Sequence, residues 1–301
     1  MPVLPEYGLA GKTAILATSG GEEATVLAQA LAEAGATVFV VARRQRSLDS
    51  ALGALAGLRS RHGGVVAEVA TSVGLAEAMR SFDLSQKAPS LSTEQGHTGS
   101  DAPHLNPLPQ GEGGGIPSPS TGEAQDGGEA SPEQRRVDIL VNDARSYFAK
   151  PFTEVTLEEW DAIQSRNVRA TFLLCQEVGR RMMHQQYGRI VNLISGLAER
   201  GMINGSAFSA SQAAVLSLTR SLAVEWGQHN IRVNAIGAGW STAAEIPVEV
   251  QQQELLVRYI PLRHKGHPRD IGPLLVYLCS EACDYSTGQP VYVDGGLNAH
   301  P

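Results

Sequence analysis

The chain has 301 residues, 42% of them hydrophobic, and a formal charge of −7, enough apolar material for one large core in a soluble globular protein. No apolar run approaches the ~20 residues of a membrane-spanning helix, no basic leader with a cleavage site opens the chain, and no basic stripe offers itself to nucleic acid; a cytoplasmic protein is expected, with no membrane or nucleic-acid partner. The three cysteines, Cys175, Cys279 and Cys283, are an odd number that argues against a disulfide framework. They lack a second ligand pair at zinc spacing, so buried thiols and no metal are expected.

In chain order, residues 12–18 form a short apolar strand. Ala24, Leu27, Ala28 and Leu31 then recur at i, i+3, i+4 and i+7, the buried face of a helix ending near Gly35. TVFVVA at 37–42 is a second buried strand, and 65–69, 137–142, 189–194, 231–236 and 290–293 give five more, with helical patterns between most of them. Continuous apolar strands separated by helices imply a parallel sheet covered on both faces, the doubly wound α/β arrangement, with ligands at the carboxyl ends of the strands.

Residues 83–136 break this pattern. They hold nine glycines, seven prolines, no aromatic residue, and eight acids against three bases, a composition that cannot bury a core. A single domain of 1–82 and 137–301 is therefore expected, with 83–136 as a long disordered insertion. NPLPQGEGGG (106–115) is similar to translated genomic repeats of bacterial proteins, an accidental insertion; a partner-binding tail is the alternative. The insertion joins a helix to the start of a strand and so lies at the sheet edge away from the ligand side.

Several segments carry a family likeness. VDILVNDA (137–144), RNVRATF (166–172), GRIVNLIS (188–195), AFSASQAAV (207–215), IRVNAIGAGW (231–240) and YSTGQPVYVDGG (285–296) resemble, in this order, the short-chain dehydrogenases/reductases of about 250 residues, whose fold is Rossmann-like. The resemblance implies four catalytic positions: a tyrosine that exchanges a proton with the substrate oxygen, a lysine one helical turn on that lowers its pKa, a serine at the carbonyl, and an asparagine that anchors a water relay. The serine and asparagine positions fall on Ser195 and Asn167. Thirteen residues beyond Ser195, the tyrosine position is Phe208, and four further on the lysine position is Gln212. Phenylalanine has no hydroxyl and glutamine no charge, so the proton route of the family is expected to be lost. Acid–base catalysis contributes ~10²–10⁴-fold, and residual turnover by that route should be negligible. Without their partners, Asn167 and Ser195 also have a structural reading, as a backbone tie and a turn cap.

The cofactor motif departs as well. The family's TGxxxGxG turn aligns with TSGGEEAT (18–25), where Ser19, Glu23 and Thr25 occupy the glycine positions. Thr18, Gly20 and Gly21 remain to shape a turn, but Glu22 and Glu23 put two carboxylates at the helix N-terminus that would accept a pyrophosphate, where they could cap the helix instead. Arg43 after the second strand resembles NADP-type members; its plainer reading is part of a solvated basic loop with Arg44 and Arg46. Asn142 and Ala144 align with the family's NNAG, here NDAR, and with Thr18, Gly20, Gly21 and Arg43 they are the cofactor-binding positions that the resemblance implies. The adenine-side aspartate aligns with Ala70, the family's Pro-Gly with Ala238-Gly239, and the nicotinamide-side threonine with Ala243, beside Thr242. NADP(H), if any cofactor, is expected, with poor affinity.

The leading expectation is a catalytically inactive member that binds a small-molecule ligand, serves as a subunit partner, or is a drifting gene product. Pairing through the helices around 162–181 and 209–228, implied by the resemblance alone, suggests a homodimer or tetramer. Val215, Leu218 and Leu222 in the second helix read as core. The alternative is an NADP(H)-dependent carbonyl or alcohol oxidoreductase with relocated chemistry, using the Tyr147 hydroxyl; Tyr147 otherwise reads as a pocket aromatic, and His264 and His267 as solvated loop residues.

Overall fold

The computed structural model describes residues 5–58, 60–85, 135–143 and 145–299. Seven parallel strands form one sheet in the order β3-β2-β1-β4-β5-β6-β7: β1 Thr13–Thr18, β2 Thr37–Ala42, β3 Gly63–Val66, β4 Ile139–Asp143, β5 Gly188–Ser195, β6 Ile231–Ala238 and β7 Pro290–Val293. The chain winds outward from β1 in both directions, so β1 and β4 flank the point where the strand order reverses.

Between the strands run α1 Glu22–Glu33, α2 Gln45–Leu55, α3 Ser72–Ser85, α4 Leu157–Gln164, α5 Ala170–Gln185 and α6 Ser206–Trp226, followed by a short α7 Val248–Gln251 and α8 Gly272–Cys279. Alternate residues of each strand enter opposite core layers, as strand geometry requires. In β1, Ala14 and Leu16 join the layer under α1, α2 and α8, whereas Ile15 and Ala17 face the layer under α3, α5 and α6. Both layers are apolar, which is why the strands show no polar alternation.

The doubly wound reading holds, with local shifts. The third strand is Gly63–Val66 rather than 65–69, and the fourth starts at Ile139 rather than 137. The boundary at 83 falls inside α3, which continues to Ser85. Residues 86–134, including 106–115, lie outside the described residues. The flanks meet where the backbone N–H of Arg135 donates to the Asp83 carboxylate at 3.4 Å, a carboxylate that Arg181 also grips at 2.8 Å. Both flanks adjoin the C-terminus of α3 and the start of β4, the amino-terminal edge of the sheet.

A polar thread crosses this apolar interior. Asn142 Nδ2 donates to Asn192 Oδ1 at 2.8 Å, and Asn192 Nδ2 donates to Thr219 Oγ1 at 2.9 Å, linking β4, β5 and α6. Cys175, Cys279 and Cys283 are buried free thiols; burial pushes the Cys175 thiol up to about 12. Val215 and Leu222 are buried, and Leu218 packs partly buried beside them, as a core stripe. Among the described residues no helix is long and apolar enough to cross a membrane.

Candidate functional site

At the carboxyl ends of β1, β4, β5 and β6 opens a cleft of about 420 Å³. One wall is apolar, built by Leu197, Met202, Phe208, Trp240 and Leu256 with Tyr147; the floor is polar, with Glu23, Asp143, Arg145 and Ser195.

The turn after β1 fixes the start of α1. Gly20 and Gly21 have φ of +102° and +97°, a left-handed backbone that a Cβ would strain. Thr18 Oγ1 accepts from the Gly20 N–H at 2.9 Å and donates to Asp143 Oδ2 at 3.1 Å. Thr18, Gly20 and Gly21 therefore shape the turn.

The acids of α1 do not cap their own helix. Gly21 at the cap position has no side chain with which to cap the helix. Glu23 instead accepts from the Arg145 guanidinium and, at 2.9 Å, from Ser241 Oγ, while Glu22 accepts from the backbone N–H of Ala243 at 3.0 Å. The correction has a physical cause: the largely buried Arg145 offers a full charge to a Glu23 carboxylate that is itself only partly exposed. Arg145 Nε also donates to Asp143 Oδ1 at 2.9 Å. Burial works against the Arg145 charge, but Asp143 and Glu23 outweigh it and raise its pKa above the ordinary value. Glu23, Arg145 and Asp143 thus tie α1 to the end of β4, and Glu22 and Glu23 tie it to the loop after β6. Glu22, Glu23 and Arg145 were each visible in the sequence as departures; their pairing was not, because it joins residues 122 positions apart.

The expected adenosine side is narrow. Arg43 donates to Glu68 at 3.1 Å and to Ser146 Oγ at 3.3 Å. The cavity it borders, with Val41, Ala67, Val69 and Ser146, is about 20 Å³. Arg43 is thus partnered rather than part of an open solvated loop. Asn142 is buried and turned to Asn192 and Cys175, away from the cleft floor. Ala144 lies outside the described residues.

Ser195, Asn167, Phe208 and Gln212 form one cluster. Ser195 closes β5, its Oγ accepting from the Leu197 N–H at 3.2 Å. Gln212, 1% exposed, accepts at Oε1 from the Ser195 backbone N–H at 3.0 Å, and its Nε2 lies 3.4 Å from Ser211 Oγ. Asn167 sits in a π-helical turn, Ser165–Arg169, between α4 and α5. Its Oδ1 accepts from the Ser146 N–H at 2.8 Å, and its Nδ2 donates to Ser146 O at 3.1 Å and Ser211 Oγ at 2.9 Å. Its own carbonyl accepts from Thr171 Oγ1 at 2.7 Å. All of these are structural ties. Phe208 is buried, and Tyr147, 61% exposed, meets it edge to face at 5.2 Å.

His264 and His267 stand beside a separate cavity of about 130 Å³ with Asp270 and Asp294. His267 Nδ1 accepts from the Arg269 N–H at 3.0 Å, capping the turn Pro268–Ile271. Both histidines belong to that loop and not to the main cleft.

Residues 128–298 match a family model described as enoyl-(acyl carrier protein) reductase. The 2-dehydro-3-deoxy-D-gluconate 5-dehydrogenase of Bacillus subtilis is 38% identical over 167 residues, which cover 54% of this chain and 66% of that protein. The 3-oxoacyl-[acyl-carrier-protein] reductase of Aquifex aeolicus is 34% identical over 164 residues, covering 54% and 65%. The matched stretch spans just under two thirds of each relative. A putative short-chain alcohol dehydrogenase from Sinorhizobium meliloti superposes with a TM-score of 0.76 at 29% identity, over 99% of this chain and 100% of that one. A putative NAD(P)-dependent gluconate 5-dehydrogenase from Beutenbergia cavernae, with NADP bound, gives 0.75 at 26% identity, over 98% and 100%.

Proposed function

This chain belongs to the short-chain dehydrogenase/reductase family, and we propose that within it the chain is a non-catalytic member: a cytoplasmic homo-oligomer that binds a small molecule in the cleft without turning it over. The observation that carries this reading is the side chain of Gln212. A lysine at that position would present a charge to the cleft; the amide is instead spent on the Ser195 N–H, and Phe208 beside it has no proton to give.

A dinucleotide does not fit the residues present. A pyrophosphate at the N-terminus of α1 would meet Glu22, Glu23 and Asp143, with Arg145 already held by two of them. On the adenosine side, Arg43 is already engaged by Glu68 and Ser146. The solved relative with NADP bound supports nicotinamide chemistry in the family; in this chain its anchors have become internal ties. On the same reading, 1–82 and 137–301 make the domain and 83–136 are an insertion, whose first residues continue α3 to Ser85.

A thermal-shift titration with NADPH and NADP should leave the melting temperature unmoved, and a concentration-dependent rise would sink the proposal. Restoring Phe208→Tyr and Gln212→Lys together should yield no carbonyl reduction, because the glycine turn remains altered. One observation favours a second reading, an NADPH-dependent oxidoreductase with moved chemistry: the Tyr147 phenol stands against Phe208 at the cleft. Turnover that survives Ser195→Ala and is abolished by Tyr147→Phe would establish it.

A further inference from the structure

The cleft has the wrong sign for the ligands its family resemblance would suggest. Its charged lining residues are Glu23 and Asp143 against Arg145, and Glu22 stands just outside on the Ala243 N–H. The positive end of α1 amounts to about half a charge. With two acids in its first turn, it cannot restore balance. Among the described residues each oxygen of Asp143 and of Glu23 has one partner, and a carboxylate offers about four acceptor sites. The same cleft is lined by Tyr147, Phe208 and Trp240, and aromatic rings are attractive to a cation that meets their faces.

Resting on the reading that no dinucleotide fills the cleft, we propose that it takes a small organic cation: a protonated amine on an aromatic or apolar body, its ammonium at Glu23 and Asp143 and its body against Phe208, Tyr147 and Trp240. A cavity of about 420 Å³ is ample for an arylalkylamine. An anionic sugar acid or acyl chain carboxylate would meet net negative charge there.

The test uses the full chain and 2-phenylethylamine, compared with 2-phenylethanol, which has the same body without charge, and with phenylacetate. Thermal shift and calorimetry at neutral pH should show the amine binding ~10-fold more tightly than the alcohol, a gain within reach of one desolvated cation–π contact, and phenylacetate not at all. The preference should shrink as salt is raised to about 0.5 M. Glu23→Gln should abolish it. Tyr147→Leu, at a mostly exposed position, should weaken the amine several-fold with an unchanged melting temperature of the free protein, which keeps the test decisive if Glu23→Gln does not fold. Equal binding of amine and alcohol, or no stabilisation by the amine, overturns the proposal. Stabilisation by NADPH instead overturns the earlier reading, so the two failures are told apart.

Discussion

The two ends of the sheet carry the family likeness differently. Residues 128–298, which hold β4 to β7, match the family model, whereas the structural likeness to the Sinorhizobium protein runs over 99% of the chain, β1 to β3 included. A strand buried on both faces asks only for apolar residues of about the right size, a demand that many sequences meet. A turn that cradles phosphates asks for particular glycines in particular places, and few sequences meet that. The fold of β1–α1–β2 is therefore kept, and ion pairs from Arg145 to Glu23 and Asp143 stand at the end of its turn.

The largest expected effect tests whether the two ends are one unit. Leu16 of β1 is fully buried in a layer that also contains Val191, Leu193 and Ile236. Leu16→Ala should cost ~2–5 kcal/mol and shift a single denaturant transition seen alike by fluorescence and circular dichroism; two separated transitions would split the molecule where the comparison divides it. Arg145→Ala comes next. It leaves the buried Asp143 and the partly exposed Glu23 without their cation, and should cost about 2–3 kcal/mol, below the ~3–5 typical of a fully buried pair because Glu23 still reaches water. An unchanged urea midpoint would mean that the ion pairs do not hold α1 to β4.

The smallest effect lies at the far edge of β2. Burial lowers the pKa of His62, whose Nδ1 accepts from the Val38 N–H at 3.1 Å as only an unprotonated nitrogen can. On acidification the unfolded chain takes this proton first, near pH ~6.5. Stability present above that pH is lost as the pH falls towards the lower folded value. His62→Gln should flatten the urea midpoint against pH between about 7 and 5; parallel curves would show that the group contributes nothing.

The strands were legible because their apolar runs are unbroken, and the exception is instructive. β3 begins with Gly63 and Gly64, which give no hydrophobic signal, yet Gly64 is held there by space: a Cβ would meet Leu48 Cδ1 and the Val40 carbonyl at 2.5 Å. The positions Ser195, Asn167, Phe208 and Gln212 were singled out by the family resemblance, and the structure brings them together around Ser211. The destination of each side chain was not legible, since the Gln212 amide and the Arg145 guanidinium could have faced solvent as far as sequence tells. The Asn142 side chain reaches Asn192 and Cys175 in the sheet interior, which its place in NDAR did not signal. Local sequence fixes which groups stand at the strand ends; which of them pair is decided by contacts between distant segments.

The asparagine thread through β4, β5 and α6 has its own consequence. Apolar side chains can be exchanged for one another at little cost, so a greasy interior alone distinguishes poorly between neighbouring alignments of two parallel strands. Asn142 and Asn192 do distinguish: they stand as paired partners in the β4–β5 register, and sliding β4 by one residue would strand both amides in a dry interior, at roughly 1–3 kcal/mol for each unsatisfied group. The thread works as a key cut for one lock position, telling the folding chain where two otherwise interchangeable strands must stop.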